Sequence, residues 1–79
     1  MRKYKNGELY QIVCNKCGKE LKLEKGIIRE GYFTADSQFG YFSGKDGIRH
    51  KFDLCEDCYD RWIRDFRIPA EEVPETELL

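Results

Sequence analysis

Four cysteines stand in two matched pairs, Cys14-x-x-Cys17 and Cys55-x-x-Cys58, with 37 residues between the pairs. Two residues between cysteines let both sulfurs reach one ion, and two such pairs supply the four soft ligands that Zn²⁺ takes at about 2.3 Å. The chemistry this pattern offers is metal binding. In "CNKCGK", Gly18 frees the backbone where a knuckle must turn, so that amide N–H groups can point at a sulfur. The second pair, in "FDLCEDCYDRWIRDF", has no trailing glycine and falls at the start of a helix, whose positive end favours thiolates. Cys14, Cys17, Cys55 and Cys58 are the predicted ligands, and a structural Zn²⁺ is the predicted cofactor.

The 79 residues make one domain. A chain of this length buries only about 60% of its unfolded surface, so its apolar core is thin and a staple is expected. Hydrophobic residues are 41% and charged residues 37% of the chain, and aromatics reach 14%. No apolar run approaches the roughly 20 residues that span a membrane. "MRKYKNGELYQIV" has positive charge but neither the apolar run nor the cleavage site of a signal peptide, so a cytoplasmic protein is expected. In a reducing cytosol thiolates persist on a metal, whereas disulfides do not. The formal charge of −1 hides an asymmetry: residues 1–30 carry eight Lys/Arg against four Asp/Glu, and residues 31–79 carry six against eleven. A uniformly basic nucleic-acid binder is excluded by that balance.

The elements that must position the cysteines follow from patterning. "ELYQIV" (Glu8–Val13) is rich in strand formers and leads into Cys14, and "ELKLEKGII" (Glu20–Ile28) leaves the knuckle as a strand with a break at Gly26. The first pair therefore sits at the tip of a β-hairpin. "QFGYFS" and "IRHKFD" read as strands flanking the turn "SGKDG", where Asp46-Gly47 favours a tight hairpin, and "TADSQ" (Thr34–Gln38) reads as a polar loop. The helix is predicted over about 55–67. Asp53 is its expected N-cap, with Glu56 completing a capping-box-like pattern, and Pro69 stops it. Leu54, Cys58, Tyr59, Trp62, Ile63 and Phe66 recur at helical spacing as one apolar face. Asp57/Arg61 and Asp60/Arg64 are acid-before-base pairs on the other. The expected organisation is a zinc-binding domain over 1–68 and an irregular acidic tail over 69–79, docked through Val73, Leu78 or Leu79 or solvated.

At these residues the chain resembles the treble-clef zinc fingers, in which a zinc knuckle, a β-hairpin and a helix bearing the last two ligands follow in this order. The resemblance covers roughly Ile12 to Phe66 and implies a small α+β fold with a Cys₄ zinc site. The 37-residue insert is long for the simplest members and implies an additional strand or loop. The full chain is also similar to small uncharacterised bacterial proteins sharing "GYFS-x-KDG" and "FDLCE-x-CY", which implies no activity. Two other readings of the pairs stay open. Rubredoxin-like iron resembles two glycine-followed knuckles, and the second pair here lacks its glycine. A thioredoxin-like redox pair needs a βαβ pattern that the chain does not show.

Catalysis has little support in the sequence. A catalytic zinc keeps an open position for water, whereas four cysteines close the shell. HNH-type nucleases resemble treble clefs but need additional histidines, and His50 is the only one here. His50 reads as an ordinary strand residue, and no catalytic residue is predicted. Consecutive aromatics such as Tyr32-Phe33 and Tyr41-Phe42 cannot both point inward from a strand, so at least one of each pair should face outward, which suggests a partner surface. The leading expectation is a non-enzymatic protein-interaction module or regulator. The alternative is a nucleic-acid-binding finger that uses Lys16, Lys19 and Lys22 on and beside the knuckle together with nearby aromatics. A homodimer that buries the outward aromatics is a further expectation. No membrane partner is expected.

Overall fold

The computed structural model describes residues 1–75. The fold is α+β: three antiparallel β-hairpins precede one C-terminal helix. Strands β1 (Arg2–Lys5) and β2 (Glu8–Ile12) form the first hairpin, β3 (Leu23–Glu24) and β4 (Ile27–Ile28) the second, and β5 (Tyr32–Gln38) and β6 (Arg49–Cys55) the third. Helix α1 spans Glu56–Arg64.

The first two hairpins owe their sharpness to paired left-handed residues. Asn6 and Gly7 have φ of 52° and 80°, and Lys25 and Gly26 have φ of 51° and 78°. Two consecutive positive-φ residues give the turn twist that matches the right-handed twist of the flanking strands. Lys5 consequently faces Glu8, and Glu24 faces Ile27. The expected break at Gly26 is thus a complete hairpin turn. Strand β1 was not anticipated, although "KNGE" holds the Asn-Gly signal that creates it.

In the third hairpin the expected elements are displaced. "TADSQ" belongs to β5 rather than to a loop, and most of "QFGYFS" lies in turns rather than in a strand. Two of the polar residues of β5, Thr34 and Asp36, find side-chain partners across the pair. The Thr34 hydroxyl donates to Asp53 Oδ1 at 2.7 Å, and Arg49 Nε donates to Asp36 Oδ1 at 2.6 Å. Phe39 N–H donates to Ile48 O at 3.1 Å and closes a loop over 39–48. Asp46-Gly47 does turn the chain, with Ile48 N–H on Lys45 O at 2.9 Å, but inside this longer loop.

Helix α1 starts one residue after Cys55, which occupies the N-cap position with no side-chain capping bond. The expected cap, Asp53, lies in β6 instead and is 4% exposed. Its carboxylate accepts from the Met1 ammonium (3.0 Å), Arg2 Nε (3.2 Å) and the Thr34 hydroxyl (2.7 Å). Burial pushes the Asp53 pKa up, but these donors outweigh it and hold the group below its ordinary value. The helix also ends earlier than expected. Asp65 and Phe66 N–H groups bond back three residues, to Trp62 O and Ile63 O at 3.1 Å, and this tightened turn terminates it.

The fully enclosed apolar residues are Ile12, Cys14, Leu21, Leu54, Cys55 and Cys58. Leu23, Ile28, Phe33, Phe52 and Tyr59 pack around them half-buried. Phe33 stacks on Tyr59 at 4.8 Å and meets Trp62 edge-on at 5.8 Å, which seats α1 against β5. Trp62 and Phe66 lie at the rim of this cluster, each 40% exposed. Val73 is exposed, and Leu78 and Leu79 lie outside the described residues.

Replacing Asp53 with Ala strips Arg2 and Thr34 of their shared acceptor. Its partners are partly exposed, so the expected loss is about 2 kcal/mol, towards the lower end for breaking a buried charged network. A urea midpoint unchanged from the parent would contradict that role.

Candidate metal centre

Each cysteine pair is delivered by a different device. Strand β2 ends at Ile12, and Val13 makes an isolated bridge with Glu20 across the knuckle. Inside it, Cys14 N–H donates to Lys19 O at 2.8 Å and Gly18 N–H donates to Cys14 O at 2.9 Å. Gly18 sits at φ +81°, a conformation that a side chain would strain. The turn aims two amides at sulfur: Cys17 N–H at Cys14 Sγ (3.5 Å) and Lys19 N–H at Cys17 Sγ (3.4 Å). Cys55 is the last residue of β6, and Cys58 lies in the first turn of α1.

The structure brings all four sulfurs to within 4.8 Å of one another. Cys17 Sγ and Cys55 Sγ, from opposite pairs, are 3.8 Å apart. A tetrahedron with metal–sulfur bonds of about 2.3 Å has edges of about 3.8 Å, so this spacing suits Zn²⁺. The donor set fits as well: four sulfurs, three of them buried, with backbone N–H groups to hold their charge. Bound here, zinc would be held by Cys14, Cys17, Cys55 and Cys58 and would act as a structural cross-link. Cys17 is the exposed member.

Electrostatics favour the thiolate state. Burial pushes the Cys14 thiol up, but backbone N–H groups of Cys17, Cys55 and Lys16 outweigh it and bring it from 9.0 down to about 6. Arg61 Nη2 lies 3.5 Å from Cys58 Sγ, and that sulfur is the chief cause of the guanidinium's raised pKa. In sequence Arg61 reads only as the basic end of a pair with Asp57. Its neighbour Cys58 lies three positions away on the same face, which was the available signal.

A second unanticipated residue locks the two halves of the site. Asn15, between the knuckle cysteines, donates its N–H to Asp53 O at 2.8 Å, and Asp53 N–H donates to Asn15 Oδ1 at 2.9 Å. The knuckle is thereby fastened to β6 two residues before Cys55. Nothing in a single sequence singles out this asparagine.

The remaining site candidates are dispersed. Lys16 and Lys22 are exposed, and Lys19 Nζ is paired with Glu30 at 2.8 Å. Phe33 belongs to the packing under α1, while Tyr32 faces outward with Arg2 5.9 Å from its ring. Tyr41 and Phe42 both stand in the 39–48 loop, 82% and 97% exposed, in keeping with the expectation that at least one of the two faces outward. They are not strand residues, and a turn does not alternate. Seven strand residues at about 3.3 Å each separate the loop from the cluster by about 20 Å. The lysines and this aromatic pair therefore do not share a surface. His50 sits on β6 with its ring 5.1 Å from Phe39.

Substituting Cys55→Ser removes a ligand and an enclosed side chain together, and loss of both the metal and cooperative unfolding is expected. Asn15→Ala leaves the Asp53 N–H unsatisfied, at a cost of about 1–3 kcal/mol, and weakens zinc retention against a chelator. The thiolate of Cys14 contributes stability in full above 9.0 and loses that contribution as pH falls towards about 6. A bound metal holds thiolates against protons further still, so half of the zinc should be released at a pH no higher than about 6. A release midpoint above neutrality would contradict this electrostatic account. Against protein-family models, curated proteins and solved structures the chain finds no match, so the resemblances seen in its sequence gain no support there and its role is argued from the site.

Proposed function

We propose that this is a non-enzymatic, zinc-stapled interaction module of treble-clef type, acting in a reducing compartment and presenting the 39–48 loop to a protein partner. The order of knuckle, hairpins and ligand-bearing helix supports the treble-clef reading. Four sulfurs fill a tetrahedral shell and leave no position for a reacting water, which argues for a structural metal.

The observation that carries the reading is the state of Tyr41 and Phe42. Their rings meet edge-on at 5.1 Å, and both project from the tip of the longest hairpin. Gly40 O accepts from Ser43 N–H at 2.9 Å, so the two aromatics occupy the centre of a closed turn. Ser43 then organises the next turn, with its hydroxyl accepting from Lys45 N–H at 3.0 Å and its carbonyl from Asp46 N–H at 3.2 Å. An aromatic pair held this way loses little conformational freedom when it enters a pocket, which is how such residues become anchors of an interface. The nucleic-acid alternative is weakened by the Lys19–Glu30 pair, which already satisfies one of its cations.

The double substitution Tyr41→Ala/Phe42→Ala should change stability by no more than about 0.5 kcal/mol, because neither ring supports the core. It should abolish capture of the partner that the parent retains from a lysate of its source cells. Identical captured proteins from parent and variant would sink the proposal. A mobility shift on nucleic acid that weakens steeply with salt would favour the alternative instead.

A further inference from the structure

We propose that Cys17 is a peroxide-reactive thiolate, and that its oxidation joins it to Cys55 and releases the metal. This rests on the zinc reading of the four-cysteine cluster. Of the four cysteines, Cys14, Cys55 and Cys58 are 1%, 3% and 1% exposed, whereas Cys17 is exposed. An oxidant in solution therefore meets Cys17 first, since oxidation follows thiolate character and access together. Once Cys17 is oxidised, geometry selects its partner. Cys55 Sγ stands 3.8 Å away, on the other half of the clamp. Cys14, the neighbour in sequence, lies in the same knuckle and its sulfur already accepts from the Cys17 N–H at 3.5 Å.

The chemistry balances with hydrogen peroxide as the oxidant. The Cys17 thiolate attacks one peroxide oxygen, the O–O bond breaks, and Cys17 becomes a sulfenic acid as hydroxide leaves. Sulfur has been oxidised by two electrons and the peroxide oxygens reduced. The Cys55 thiolate then attacks the sulfenic sulfur, forms the S–S bond and expels the second hydroxide, and both hydroxides take protons from solvent. Two ligands, Cys14 and Cys58, remain, and two thiolates do not complete the shell that structural zinc requires. The resulting bridge fastens the knuckle to the start of α1, across the span the metal had closed. A thiol reductant and added Zn²⁺ reverse the change.

The test uses the full chain loaded with zinc, with metal content measured first by native mass spectrometry. A brief pulse of N-ethylmaleimide should label Cys17 at least about tenfold faster than the other three cysteines. Peroxide added in small portions should release zinc to a chromogenic chelator in step with a single disulfide, and peptide mapping should place that disulfide between Cys17 and Cys55. A first disulfide within a pair, Cys14–Cys17 or Cys55–Cys58, overturns the proposal, as does equal labelling of all four cysteines. A chain that carries no zinc at the outset defeats the zinc reading itself, a separate result from the order of pairing.

Discussion

The four cysteines are both the metal site and the middle of the core, and the rest of the structure depends on that coincidence. Three of the six enclosed apolar residues are Cys14, Cys55 and Cys58. The remaining three, Ile12, Leu21 and Leu54, each lie within four residues of a cysteine in sequence. Three two-stranded sheets with no strand in common supply the framework. A two-stranded hairpin is marginal alone in water, and a chain this short has little apolar surface with which to join three of them. An ion held by the four sulfurs would contribute what burial lacks, because it would fix the knuckle after β2, the end of β6 and the start of α1 at one point. Binding free energy for such an ion would be folding free energy, making metal and fold one equilibrium.

The second constraint is a polar one. Asp53 joins the first hairpin, through Arg2, to the third, through Thr34, while its backbone is paired with Asn15 of the knuckle. A buried carboxylate is costly unless it is met by donors, and here the donors come from elements that share no ladder. Charge thereby does work that a continuous sheet would otherwise do. Its position two residues before Cys55 also means that this junction by itself holds the two cysteine pairs in register, whether or not an ion bridges them.

Much of the site was legible and less of the frame. Two C-x-x-C pairs announce a metal site because ligand spacing is a local property, and the apolar stripe from Leu54 to Phe66 announces the helix for the same reason. The polar segment "TADSQ" was misleading because its stabilisation is non-local: Thr34 and Asp36 suit a strand only once β6 brings Asp53 opposite the one and Arg49 diagonally across from the other. Asp53 misled in the same way. An acidic residue before a helix fits a cap, but a buried three-donor cluster formed by the first and third hairpins outcompetes that use. The Asn6-Gly7 turn was there to be read, since an Asn-Gly pair between strand formers is among the strongest local hairpin signals. Asn15 carried no signal at all, because its role exists only when the knuckle meets β6.

The separation between the metal centre and the 39–48 loop gives the architecture its logic. All of the enclosed residues lie at one end of the β5–β6 hairpin, and the other end carries Tyr41 and Phe42 in water. Aromatic side chains could stabilise a thin core, yet Tyr41 and Phe42 are the two most exposed large apolar side chains among the described residues. Gly47, at φ +86°, takes the left-handed turn conformation, and Lys45 covers the Phe39 ring from 4.8 Å, so the loop is organised without drawing on the core. Tyr41 and Phe42 at the tip are therefore free of the packing constraint that fixes the buried residues around the cysteines. A surface released from that constraint can vary without disturbing the cysteine cluster that holds the fold together.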